Sequence, residues 1–168
     1  TKLLGLLDLE ARDEEPVTTQ GVMMLSPFLL IGIGGSGGKT LRTARADLER
    51  QLDNIGWKEP FPDAWQFLHI DVPTKPDGLD LGLPGVLPAG SYQGLVASGI
   101  NYKTVDRLLS NKLKPGLDMD ATAGWRPMAT QVSVPIDRGA GQYRAIGRII
   151  TVTHLGNILT AIEGAVAK

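Results

Sequence analysis

The chain contains no cysteine, which excludes disulfide bonds, thiol nucleophiles and cysteine metal sites. Histidine is nearly absent as well. His69 and His154 fall in separate segments without the spacing of metal ligands, so both read as packed or surface side chains. Neither sign of charge dominates: 17 basic and 18 acidic residues leave a formal net charge of −1. Nothing in that balance draws the protein to nucleic acid or to an anionic membrane. No apolar run approaches the roughly 20 residues of a membrane span, and no secretory leader is visible, so a cytoplasmic location is the expectation. At 168 residues the chain suits one domain with a core, or part of a larger one.

Glycine, by contrast, is abundant, with 21 residues. Five fall in the seven positions after an apolar run, in Leu29-Leu-Ile-Gly-Ile-Gly-Gly-Ser-Gly-Gly-Lys-Thr40. An apolar strand, a glycine loop and a helix start in that order suit an anion, because amides without a neighbouring Cβ can approach it and the helix dipole favours it. Three phosphate-loop patterns compete. The P-loop spacing fails by one residue, since the position five before Gly38 is Ile33. The dinucleotide pattern G-x-G-x-x-G is met by Gly32, Gly34 and Gly37, a weak match in so glycine-rich a chain. The pattern Gly-x-Gly-Gly-x-Gly-Gly is met in full by Gly32, Gly34, Gly35, Gly37 and Gly38. A tight turn with no ligand is the remaining reading.

The surroundings of this loop predict an α/β chain. Phe28–Ile33 reads as a strand. Leu41, Ala44, Leu48, Leu52 and Ile55, spaced by three and four, read as the buried stripe of a helix that starts near Lys39 or Thr40 and stops at Gly56. Residues 65–72 read as a second strand, so strand, helix and strand form a βαβ unit with a parallel sheet and a right-handed crossover. Asp71, at the carboxyl end of the second strand, faces the same crevice as the glycine loop. There it could hold a ribose hydroxyl or order water around a magnesium ion, or simply form a turn before Pro73. The interval from Gly37 to Asp71 exceeds the roughly 20 residues expected of a dinucleotide's ribose acid, which counts against a nicotinamide cofactor.

Residues 1–24 read as an extension whose Asp13, Glu14 and Glu15 are solvated, and residues 25–168 as the domain proper. About 73–136 the many prolines and glycines predict an irregular insertion. It is interrupted by an amphipathic helix over residues 102–113, with Lys103, Arg107 and Lys112 on its wet face, and by a short alternating strand over residues 130–136. A second glycine cluster, Gly139, Ala140 and Gly141 with Gln142, then feeds a helical pattern whose apolar face runs from Ile146 to Val166.

Three motifs in order now carry a resemblance. The loop over residues 31–40, the run Ile70-Asp-Val-Pro-Thr74 and the run Gly139-Ala-Gly141 followed by Gly147-Arg148 together resemble the nucleotide loops of the tubulin/FtsZ superfamily, within its bacterial tubulin-like proteins. The resemblance covers residues 28–75 and 137–166. It implies a Rossmann-like three-layer fold, a parallel sheet with flanking helices, and GTP or GDP as ligand with Mg2+. By this resemblance Gly32, Gly34, Gly35, Ser36, Gly37, Gly38, Lys39 and Thr40 meet the α and β phosphates. Asp71 and Thr74 order the magnesium or its waters, and Gly139, Ala140, Gly141 and Gln142 sense the γ-phosphate. Lys39 stands where FtsZ commonly has asparagine and adds a charge that could meet phosphate. The family's Gly-Gly-Gly-Thr-Gly-Ser-Gly signature is not in the sequence, so the chain is expected to be the amino-terminal half of the domain. Self-association, or a complementary chain, would complete it, and GTP hydrolysis is expected only with the missing half and a neighbouring subunit's acidic loop. A nicotinamide-dependent Rossmann oxidoreductase and a non-enzymatic tubulin-like scaffold remain as alternatives.

Overall fold

The computed structural model describes residues 25–76, 87–112, 121–133, 135–141 and 143–168. The extension assigned to residues 1–24 and the site residue Gln142 lie outside the described residues. Three strands, β1 (Phe28–Ile33), β2 (Trp65–Asp71) and β3 (Tyr92–Gly94), form one sheet in that order, all parallel. Phe28 pairs with Trp65 and Ile33 with Ile70, so the carboxyl ends of β1 and β2 are in step. β3 joins only the last part of β2, from His69 to Asp71.

Between β1 and β2 runs helix α1 (Gly34–Asn54). It packs on both strands, with Leu41 and Leu52 buried. It ends in a Schellman turn. The amide of Trp57 donates to the Leu52 carbonyl and that of Gly56 to the Asp53 carbonyl, with Gly56 at φ +75 where a side chain would be strained.

Strand alternation sends Gly32, Phe67 and His69 toward α1, and Leu68 and Ile70 toward the opposite face. There the main core forms. Leu68, Ile70, Leu95 and Val96 meet Tyr102, Val105 and Leu109 of α2 (Tyr102–Lys112) and Ile146, Ile149 and Ile150 of α3 (Arg144–Thr153). Helix α4 (Leu155–Val166) lies over β2 and β3. With helices on both faces of a parallel sheet, the fold is α/β and Rossmann-like, in three layers.

Four sequence expectations need correction. Helix α1 opens at Gly34, not near Lys39, so the glycines form its first turns. The insertion about 73–136 includes a regular strand, β3, which satisfies the backbone of β2 on its open side. Residues 130–136 form no strand where they are described. They lead through turns to Ile136, which is buried in the core. The apolar face from Ile146 to Val166 is two helices, not one, bent by 70° at His154. The bend lets α3 pack on α2 while α4 covers the sheet. At the break the exposed Lys112 reaches back, and its Nζ donates to the Thr153 carbonyl at 2.5 Å, placing a cation at the end of α3. Among the described residues no single helix is long and apolar enough to cross a membrane.

Candidate functional site

At the carboxyl end of β1 the chain passes straight into α1, and glycine is required there for two different physical reasons. Gly34 has φ +70 with open space around it, so it is needed for its left-handed backbone. Gly32 and Gly37 are needed for contact, since a Cβ on Gly32 would lie 2.5 Å from the Gly37 carbonyl oxygen. The strand end and the first helical turn therefore touch backbone to backbone.

The start of α1 suits an anion. Its first amides have no partner within the helix. Among the described residues no side chain caps it, and no acid occupies its first turn. Gly34, Gly35 and Gly37 are half-buried, Gly38 is buried, and Ser36, Lys39 and Thr40 are exposed. The Thr40 hydroxyl donates to the Ser36 carbonyl at 3.0 Å, an arrangement that leaves its oxygen able to accept.

Asp71, the last residue of β2, stands beside this turn. Its Oδ1 accepts the Val72 amide at 2.7 Å, and its Oδ2 lies 3.6 Å from His69 Nε2. That nitrogen is 3.0 Å from the Gly34 carbonyl oxygen, so His69 links the glycine turn to Asp71. The segment after Asp71 is held by β3 and the residues that follow it. The Leu95 and Val96 amides donate to the Asp71 and Val72 carbonyls, the Tyr92 hydroxyl donates to the Pro73 carbonyl at 2.6 Å, and the Thr74 hydroxyl donates to the Val96 carbonyl at 3.0 Å. Thr74 thus serves the loop's own shape, with its oxygen still able to accept.

The second glycine cluster hangs on a different support. Gly139 at φ +135 and Gly141 at φ +59 form a turn just before α3. Ala140 packs on the core, the Gly139 amide donates to the Ile136 carbonyl, and the Gly99 amide, beyond the end of β3, donates to Asp137. It is therefore anchored to the chain beyond β3, whereas the first turn and Asp71 are joined through His69.

Two features escaped the sequence reading. His69, read as a packed or surface side chain, lies at the centre of the site, 6% exposed. Its signal was its place two residues before Asp71 on one strand, hence on the face of β2 turned to the glycine turn. The other is β3, whose three residues are too few for a periodic pattern. Among the described residues no three His, Cys, Asp or Glu side chains gather as a metal site. A lone carboxylate at Asp71 fits Mg2+ only where ligand phosphates and water complete the coordination.

A parallel α/β sheet with a glycine turn at the carboxyl end of its first strand defines a Rossmann-like protein, and that class alone leaves several ligands open. The sequence narrows it. A family model described as tubulin-like matches residues 29–168. The chain belongs to the tubulin-like family. No curated protein and no solved structure matches it.

Proposed function

We propose that the chain binds the phosphates of a guanine nucleotide, GTP or GDP, at the start of α1, and that nucleotide state is coupled to self-assembly. The observation that carries this reading is the glycine turn itself. Its backbone-to-backbone approach at Gly32 and Gly37 brings an uncapped helix start with no acid against the carboxyl end of the sheet. The amides of Gly34, Gly35, Ser36, Gly37 and Gly38 meet the α and β phosphates, and Lys39 and Thr40 add a charge and a hydroxyl at the rim. Asp71 orders Mg2+ through water, with Thr74 in its second ring of contacts. Gly139, Ala140 and Gly141, with Gln142, meet the γ-phosphate. The bound nucleotide would supply its own phosphate charge for the metal. This chain's residues bind and orient it, and hydrolysis needs a second subunit.

The test is an equilibrium titration with a fluorescent GDP analogue, followed by competition with unlabelled GTP, GDP and NAD. Displacement by GTP and GDP but not by NAD is expected. Displacement by NAD alone would replace this reading with the oxidoreductase one. A chain that turns over GTP rapidly as a monomer would contradict the need for a second subunit.

A further inference from the structure

The ring of His69 rises from the middle layer into the first turn of α1. Built on the backbone, a Cβ at Gly38 would sit within 2.6 Å of both His69 Nδ1 and Nε2 and in collision with Cε1. The ring as placed and a side chain at position 38 cannot share that space, so beside this histidine position 38 has room only for glycine. Nε2 points at the Gly34 carbonyl, 3.0 Å away. A carbonyl oxygen only accepts, so Nε2 carries the hydrogen. The same nitrogen is 3.6 Å from Asp71 Oδ2, and the ring's far side meets the Tyr92 ring edge-on, with centroids 5.0 Å apart. Tyr92 in turn holds the Pro73 carbonyl of the loop after Asp71. One side chain therefore meets the glycine turn and Tyr92 and stands next to Asp71, and it reaches the loop after Asp71 through Tyr92.

We infer that His69 is a positioning residue that fixes the glycine turn of α1 by holding the Gly34 carbonyl inward and keeps that turn in register with Asp71. With the Gly34 carbonyl turned toward the ring, the amides that follow it are left to the ligand. Loss of the Nε2–H bond frees the left-handed Gly34 to change conformation, and the turn loses its single shape. A consequence for ligand choice follows: the site is set for an anion held by amides close to the Asp71 carboxylate, which suits a phosphate accompanied by a cation. This inference rests on the nucleotide reading for its ligand, but the positioning of the turn stands or falls separately.

Amide hydrogen exchange on the full chain without nucleotide reads the positioning directly. His69→Leu keeps bulk and removes the donor, while His69→Gln keeps an N–H. In His69→Leu, amides over residues 31–40 are expected to exchange about tenfold faster with the rest of the chain unchanged, and His69→Gln should restore most of that protection. A fluorescent GDP analogue should bind about tenfold more weakly to the Leu variant and within about threefold of the native chain to the Gln variant. A size swap supplies the second measurement. Gly38→Ala should lower the melting temperature sharply with His69 present, and far less in a His69→Ala background. Native-like exchange over residues 31–40 in His69→Leu, or an increase spread evenly over the chain, would overturn the inference. Equal damage by Gly38→Ala in both backgrounds would overturn it too. If the native chain binds no guanine nucleotide, the functional reading falls, and the exchange and melting results still decide the role of His69.

Discussion

At the residue scale the first turn separates two uses of glycine that a sequence pattern treats alike. Gly34 is strained by any side chain but collides with nothing, so Gly34→Ala is expected to cost about 1 kcal/mol in urea denaturation. Gly32→Ala, which pushes a methyl group into the Gly37 carbonyl, should cost about 3 kcal/mol. Equal costs at the two positions would contradict the backbone contact. The pattern Gly-x-Gly-Gly-x-Gly-Gly contains both positions and could not tell them apart, because a spacing records where side chains are absent and not what occupies their place. His69 shows the converse. Its place two residues before Asp71 puts it on the face of β2 turned to α1, but only three-dimensional packing reveals that it meets Gly34 and Gly38.

Tyr102 gives a second prediction at this scale. It is 1% exposed, and its hydroxyl donates to the Pro127 carbonyl at 2.9 Å. Burial pushes its phenol from 10 up to about 12; the Asp106 carboxylate adds to the rise and the Arg126 guanidinium opposes it. The folded chain therefore keeps the proton to higher pH than the unfolded chain. Stability from this source is complete below about pH 10 and falls as pH rises toward about 12. Tyr102→Phe should lose about 1 kcal/mol at neutral pH with the hydrogen bond, and should flatten the alkaline decline. Urea midpoints measured across that range check both effects.

At the element scale, long periodic segments were readable and short or bent ones were not. The stripe from Leu41 to Leu52 placed the body of α1 and Gly56 marked its end, because a helix of 21 residues repeats its pattern several times; Ile55, read as the last of the buried stripe, lies just past the helix and is exposed. Its start was misplaced because glycines carry no side-chain periodicity. The alternation over residues 130–136 suggested a strand, yet those of them that are described join no sheet among the described residues. Likewise the apolar face across α3 and α4 is continuous in sequence, while the bend at His154 is set by contacts elsewhere. One of these is the Lys112 bond to the Thr153 carbonyl. Lys112→Met is expected to destabilise the fold by about 1 kcal/mol and to raise amide exchange at the end of α3. An unchanged denaturation midpoint would remove Lys112 from the account of the bend.

For the whole molecule, the βαβ unit and the parallel sheet were foreseen from residues 28–72, and the three motifs that suggested a tubulin-like protein lie in the 29–168 span of the family match. What a sequence could not supply is how the sheet is finished. Among the described residues β1 pairs only with β2, leaving its other edge open, with Leu30 and Ile31 exposed and Ile33 78% exposed. An apolar open edge favours association with other chains. Ile33→Lys should therefore lower the fraction of the chain that sediments as oligomer as concentration rises, with little change in melting temperature. A sedimentation profile identical to the native chain's would show that this edge takes no part.

Whether the glycine turn holds a guanine nucleotide is decided by denaturing freshly purified protein with heat and identifying by chromatography what it releases. GDP or GTP in the supernatant is the predicted result. Release of NAD or NADP would contradict the account and place the chain among dinucleotide-binding proteins.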